Sequence, residues 1–159
     1  MFRKNKRILA RERAENAPAA RRKPDFDPAN AHVTALAFLG DSVYETLMRE
    51  RLVREDLPPD ALHRACTARV NAAAQASAVR VLTPHLTPEE LDALHKGRNR
   101  RTAHRPKQGT GAEYRAATGL ETLFGHLYLT GQTRRMRELF EICYRAAPET
   151  PTKKTETEL

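Results

Sequence analysis

Cysteine and tryptophan are scarce in this chain. Its 159 residues include two cysteines, Cys66 and Cys143, and no tryptophan. The cysteines are far apart, with neither a CxxC pair nor a histidine at metal-ligand spacing, so a disulfide or a metal role is disfavoured. We expect two buried thiols in a reducing cytoplasm.

Long apolar runs and strand-like alternation are also missing. No stretch approaches the roughly 18 consecutive apolar residues of a membrane-spanning helix, and the basic N-terminus lacks the apolar core of a secretory signal. No segment sustains the period-two alternation of a strand. The chain is therefore predicted to be soluble and all-α, with five to seven helices. We expect a basic flexible arm at 1–25, the folded domain at 26–147 and a polar tail at 148–159.

The charge balance is strongly positive. There are 28 lysines and arginines against 20 acidic residues, which gives a formal net charge of +8. Such a balance favours an anionic partner. Nucleic acid and an anionic membrane surface both qualify on charge alone.

Capping signals predict the helix boundaries. Asp27-Pro28 resembles a helix start, Asp60 is a plausible cap, and Thr87 to Glu90 form a capping box. Gly97 and Gly131 are expected to end helices. In order, these signals predict helices over about 28–55, 60–77, 88–96 and 112–130, and a last helix capped at Thr133.

The stretch LAFLGDSVYE at 36–45 contains two residues that do not suit a core helix. Asp41 places a carboxylate beside the apolar stripe, and Gly40 costs helix stability, roughly 0.5 to 1 kcal/mol relative to alanine. The stripe itself has helical spacing: Leu36, Leu39, Val43 and Leu47. A close approach to the Gly40 backbone, or an exposed Asp41 with an incidental glycine, would each explain the pattern.

A second helix repeats this combination. Glu121 lies on an apolar stripe with Ala117 and Phe124, and Gly119 and Gly125 flank it. An inward carboxylate is costly unless it is paired, hydrogen-bonded or bound to a cation. Two such carboxylates are what Mg²⁺ uses, because it binds one or two carboxylates together with waters and substrate phosphate.

Between these helices lies a basic segment, KGRNRRTAHRPK at 96–107, which has no acidic residue and no apolar period. Its cations could neutralise a phosphate backbone while a metal held by Asp41 and Glu121 activates a phosphodiester. That combination indicates a metal-dependent phosphodiesterase. The alternative is a helical nucleic-acid-binding protein whose two inward acids pair with Arg or Lys.

The motifs resemble those of the ribonuclease III family. Phe38-Leu39-Gly40-Asp41-Ser42-Val43 looks like the signature of its catalytic domain. The likeness covers about residues 27–145 and is closest to the Mini-ribonuclease III class, for which we expect no double-stranded RNA-binding domain. It continues in order through Leu62-His63, Val70 to Ala76, Lys96-Gly97-Arg98-Asn99, Pro106-Lys107, Tyr114-Arg115, Ala117 to Glu121 and Gly125.

The resemblance implies a compact homodimeric endonuclease domain that cleaves double-stranded RNA with Mg²⁺ or Mn²⁺, usually in ribosomal RNA maturation, with no membrane partner. By position it implies that Asp41 and Glu121 are catalytic metal ligands. Other acids of the full-length enzymes are missing, since Thr34 and Ala37 replace the signature glutamates and Thr118 the second-motif aspartate. One metal per subunit is therefore the economical interpretation.

Further residues are candidates for the same site. Glu45 and Thr118 could contact the waters around a metal, although a salt bridge from Glu45 to Arg49 is favoured. His104 is expected to serve RNA contacts rather than catalysis. The predicted RNA-binding residues are Lys96, Arg98, Asn99, Arg100, Arg101, His104, Arg105 and Lys107.

Two other classes of protein compete with this interpretation. A non-catalytic helical RNA-binding or ribosome-associated protein would explain the missing carboxylates, but it has no need for Asp41 and Glu121 with their glycines. A cationic protein that binds DNA or membrane fits the charge alone and leaves both inward acids unexplained.

Overall fold

The computed structural model describes residues 26–100 and 110–147. These two ranges contain six α-helices and no strand, which confirms the all-α prediction, and none of their helices is long and apolar enough to span a membrane. The arm at 1–25 and the tail at 148–159 lie outside the described residues. The helices are α1 (Val33–Val53), α2 (Pro59–Val70), α3 (Ala72–Leu82), α4 (Pro88–Arg98), α5 (Gly111–Leu129) and α6 (Thr133–Ala146), with 3-10 turns at Pro28–Asn30 and Thr83–His85.

The helix α5 forms the centre of the fold. It packs against α1, α3, α4 and α6, and its side chains Leu120, Leu123, Phe124 and Leu127 are fully buried. The ring of Tyr44 on α1 packs edge-on against Phe124, with 5.1 Å between centroids. A helix buried on most sides must be apolar on most sides, so the carboxylate that α5 carries in its middle is exceptional.

The first helix begins later than its capping signal predicts. Asp27-Pro28 starts a 3-10 turn, in which the Asn30 amide donates to the Asp27 carboxylate at 2.6 Å. The chain is then extended at His32, whose Nδ1 accepts from the backbone N–H of Thr34 at 3.2 Å. The start predicted at residue 28 is therefore wrong, because an extended residue separates the turn from α1.

The helix predicted over 60–77 is two helices that meet at Asn71. Asn71 is extended, with ψ 161°, and its side-chain oxygen accepts from the backbone N–H of Ala74 at 2.9 Å. Its Nδ2 donates to the carbonyls of Thr67 and Ala68, so one side chain caps the end of α2 and the start of α3. The expected cap Asp60 lies inside the first turn of α2.

Two further boundaries need correction and two are confirmed. Gly97 does not end α4, which continues to Arg98, and Thr133 does not cap α6, because Gln132 holds the cap position without a side-chain bond. The capping box of Thr87 and Glu90 is present. Gly131, with φ +74°, follows the end of α5 as predicted.

Both cysteines are buried free thiols, as expected. Burial raises the pKa of each thiol, that of Cys143 to about 12. A thiol with a raised pKa is a weak nucleophile at neutral pH. The cysteines therefore serve the packing of α2 and α6.

Candidate active site

The two helices that carry Asp41 and Glu121 touch backbone to backbone. A Cβ on Gly40 would lie 1.7 Å from the carbonyl oxygen of Glu121, and a Cβ on Gly125 would lie 2.0 Å from the carbonyl oxygen of Leu36. Only glycine fits at either position. The close approach expected at Gly40 is thus made by α5, and it places Asp41 beside Glu121.

Asp41 and Glu121 form a poorly compensated carboxylate pair. Glu121 is partly buried, and burial together with the charge of Asp41 raises its pKa to about 8. Asp41 is exposed at the rim, so the inward placement expected for its carboxylate is wrong; partial burial and the charge of Glu45 still raise its pKa. The pair therefore keeps a proton at neutral pH unless a cation replaces it.

This donor set suits a hard divalent cation. Both groups offer carboxylate oxygens, and a cation between them would offset the charge of Asp41 that helps to raise the pKa of Glu121. Within the described ranges, no cluster of three or more His, Cys, Asp or Glu side chains could hold a metal. Two carboxylates leave several coordination positions for water and phosphate, which is the arrangement typical of Mg²⁺ sites.

Glu45 and Thr118, the two residues expected to contact metal-bound water, make hydrogen bonds to other groups. Glu45 accepts from Arg49 Nε at 3.1 Å, which confirms the favoured salt bridge, while its charge still reaches Asp41. Thr118 is buried and its hydroxyl donates to the carbonyl of Tyr114 at 3.0 Å. A contact of Glu45 or Thr118 with metal-bound water stays a prediction.

A second close helix contact, made by Gly97 of α4 and Gly119 of α5, places the start of the basic segment beside the turn of α5 that carries Glu121. A Cβ on Gly97 would lie 2.3 Å from Thr122 Oγ1 and 2.7 Å from the carbonyl oxygen of Thr118, and one on Gly119 would lie 2.8 Å from the carbonyl oxygen of Leu94. The end of α4 therefore rests on the part of α5 that carries Glu121. Gly97 is a contact residue rather than a helix stop.

The predicted RNA-binding residues within the described ranges have different surroundings. Lys96 is paired with Asp92 at 2.7 Å, and Arg98 and Asn99 are exposed. Arg100 is partly buried, and its positive charge opposes the rise in the pKa of Glu121. The other four, Arg101, His104, Arg105 and Lys107, lie in 101–109, outside the described residues.

The sequence pattern gives no indication that Arg100 differs from its basic neighbours. Its placement depends on the crossing of α4 and α5 at Gly97, which the sequence presents as an ordinary helix stop. Phe38 is a further feature that sequence reasoning missed, since it lies inside an apolar run yet is 81% exposed. Its position on the helix face opposite Leu36 and Val43 could have indicated this exposure.

Comparison with known proteins identifies the family. Residues 34–132 match the family model described as the ribonuclease III domain. The Mini-ribonuclease 3 of Symbiobacterium thermophilum is 41% identical over 116 residues, which cover 72% of this chain and 89% of that protein. The Mini-ribonuclease 3 of Enterococcus faecalis is 39% identical over 122 residues, which cover 75% and 92%.

The fold also resembles that of a solved structure. A crystal structure of a Fusobacterium nucleatum protein superposes with a TM-score of 0.63 at 25% identity, covering 77% of this chain and 94% of the other. Family match, relatives and fold agree with the arrangement of the signature on α1 and the second motif on α5. The chain belongs to the ribonuclease III family, within its Mini-ribonuclease 3 class, and is therefore an endoribonuclease.

Proposed function

We propose that this chain cleaves double-stranded RNA with Mg²⁺ held by Asp41 and Glu121, and that its cytoplasmic substrate is a ribosomal RNA precursor. The ribonuclease III family generally depends on divalent metal and acts on double-stranded RNA. The observation that carries the proposal is the glycine crossing that brings Glu121 beside Asp41, where burial and the charge of Asp41 raise the pKa of Glu121. Mn²⁺ would suit the same oxygen donors.

The residues divide into two tasks. Asp41 and Glu121 would hold the metal, which when bound supplies Lewis-acid polarisation of the phosphoryl group and activation of water. Arg98 and Asn99, exposed at the end of α4, would contact backbone phosphates on either side, together with the basic residues that follow. Recognition would depend on A-form shape, because the deep major groove of RNA hides the base edges from side chains.

The proposal is tested by incubating purified protein with one duplex offered as RNA, as DNA and as single-stranded RNA. We expect cleavage of the RNA duplex in Mg²⁺, none in EDTA, and products with a 5′-phosphate and a 3′-hydroxyl. Asp41→Asn is the matched control and should leave the duplex intact. Retention of duplex RNA without cutting by the wild type would instead favour the non-catalytic RNA-binding alternative.

A homodimer is part of the proposal, and α1 offers a surface for it. Phe38 is 81% exposed and Val53 is 67% exposed on this helix. A groove of about 260 Å³ is lined by Arg49, Leu52, Val53, Leu62, His63 and Cys66. Phe38 and Arg49 are eleven positions apart, so they lie on one helix face about 16 Å from each other. A two-fold axis across this face would bring each Phe38 towards the groove of the partner.

Replacing Phe38 with aspartate should weaken this dimer by about 100-fold or more, because a buried aromatic anchor would become a charge. Sedimentation velocity across a dilution series measures the effect. Val81→Asp, on α3 and 44% exposed, is the control and should leave the association unchanged. A monomeric wild type, or a Phe38→Asp protein that stays dimeric, would contradict the proposed interface.

A further inference from the structure

Arg100 occupies a fixed place at the end of α4. Its backbone N–H donates to the carbonyl of Gly97 at 3.2 Å, and that of Asn99 donates to the carbonyl of His95 at 2.9 Å. Gly97 is itself pressed against Thr118 and Thr122 of α5. The backbone at Arg100 is therefore held next to the turn of α5 that carries Glu121.

The side chain of Arg100 differs from the other cations at this end of α4. Lys96 is paired with Asp92, and Arg98 is exposed. Arg100 is partly buried and close enough to Glu121 to favour its ionised form. Within the part of the chain that the structure describes, Arg100 makes no ion pair within 4.0 Å. Its charge thus acts on Glu121 without being fixed to either oxygen of that carboxylate.

We propose that Arg100 is the exchangeable counter-cation of Glu121, which yields its place to the metal and then contacts the phosphate that is cut. This rests on the proposed function. A guanidinium and a divalent cation beside one carboxylate repel each other, so Arg100 opposes metal binding until a phosphate arrives between them. Arginine suits that second contact because its planar fork matches phosphate oxygens.

The consequence is a coupling between metal and RNA. If the phosphate relieves the repulsion, RNA strengthens metal binding and metal strengthens RNA binding by the same factor. Removing the guanidinium should then change metal binding and cleavage in opposite directions. A residue that only grips flanking backbone has no reason to affect metal binding in the absence of RNA.

The test compares Arg100→Ala with Arg98→Ala, its exposed neighbour. Calorimetric titration with Mn²⁺ in the absence of RNA should show binding about 3- to 10-fold tighter for Arg100→Ala than for wild type and unchanged binding for Arg98→Ala. Single-turnover cleavage of duplex RNA should be about 10- to 100-fold slower for Arg100→Ala at saturating protein. For Arg98→Ala only the half-saturating protein concentration should rise.

Three outcomes are informative. Tighter Mn²⁺ binding with a slower maximal rate supports the counter-cation role. Unchanged or weaker Mn²⁺ binding by a folded Arg100→Ala protein overturns it and leaves the proposed function intact, provided that wild type binds Mn²⁺ and cuts duplex RNA. A wild type that does neither overturns both. Arg100→Lys separates the repulsion of the metal from the phosphate contact. It should restore wild-type Mn²⁺ affinity, because the charge is kept, but little of the cleavage rate, because the planar fork is lost.

Discussion

Replacing Glu121 with glutamine is expected to reduce RNA cleavage by about 10³-fold or more while making the metal-free protein more stable. The amide removes a metal ligand, and it also removes a carboxylate that burial and Asp41 disfavour. Duplex RNA should still bind, because Arg98, Asn99 and the following cations are unchanged. Initial-rate assays in Mg²⁺ and thermal melts in EDTA measure the two effects on the same preparation.

The gain in stability should depend on pH in a defined direction. The pKa of Glu121 is about 8 in the folded chain against an ordinary value of 4.5. Below the lower value both states hold the proton, and between the two values only the folded state does, so wild-type stability falls as pH rises through this window. The midpoint of Glu121→Gln should exceed that of wild type by about 5–10 °C near pH 8.5 and by little at pH 4.5.

Glu141→Gln provides the control for a carboxylate on the outer side of α6, where Glu141 lies 3.9 Å from Arg51. Its melting midpoint should stay close to that of wild type across the same pH range. A Glu121→Gln protein that cuts duplex RNA at the wild-type rate would show that Glu121 is not a metal ligand. One that loses stability at high pH as wild type does would show that the pKa of Glu121 is not the cause of that loss.

Replacing Gly40 with alanine is expected to cause the largest loss of stability of any single methyl addition in the described chain. The new Cβ would lie 1.7 Å from the carbonyl oxygen of Glu121 and 2.7 Å from the backbone nitrogen of Gly125. Because both neighbours are backbone atoms, α1 and α5 must separate. We expect a cost of about 3 kcal/mol in the free energy of unfolding, or roughly 10 °C in the melting midpoint. Cleavage should be lost even at temperatures where the protein is folded, because Asp41 moves away from Glu121.

Two other glycines serve as controls for this substitution. Gly111→Ala adds a methyl 3.3 Å from the mobile end of the Arg115 side chain, so it should be nearly neutral. Gly131→Ala has open space around it but a φ of +74°, so it should cost about 1 kcal/mol through backbone strain alone. If Gly40→Ala melts like Gly111→Ala, the close crossing of α1 and α5 is wrong.

The sequence predicts the two halves of the site because both break the pattern of their own helix. Asp41 and Glu121 each stand beside an apolar stripe with glycines nearby, and a carboxylate at such a place has few inexpensive explanations. What periodicity does not supply is which helices touch. The glycines become interpretable only when the crossing shows that Gly40 faces Glu121 and Gly125 faces Leu36.

Other features escape sequence reasoning because local signals have more than one structural use. Asn71 follows an unbroken helical stripe, yet its amide caps two helices at once. Gly97 fits a helix stop by composition but serves close packing against Thr122. The role proposed for Arg100 depends on that packing, which involves residues more than twenty positions away.

Proton release on metal binding tests the central claim most directly. At pH 7, Glu121 with a pKa of about 8 is mostly protonated, so a metal that binds between Asp41 and Glu121 must displace most of a proton. Calorimetric titration with Mn²⁺ in buffers of different ionisation enthalpy counts that proton. We expect wild type to release most of a proton per metal at pH 7 and little at pH 9.5, and we expect no binding by Asp41→Asn or Glu121→Gln. Binding without proton release, or binding that survives both substitutions, would contradict the assignment of these two carboxylates as the metal site.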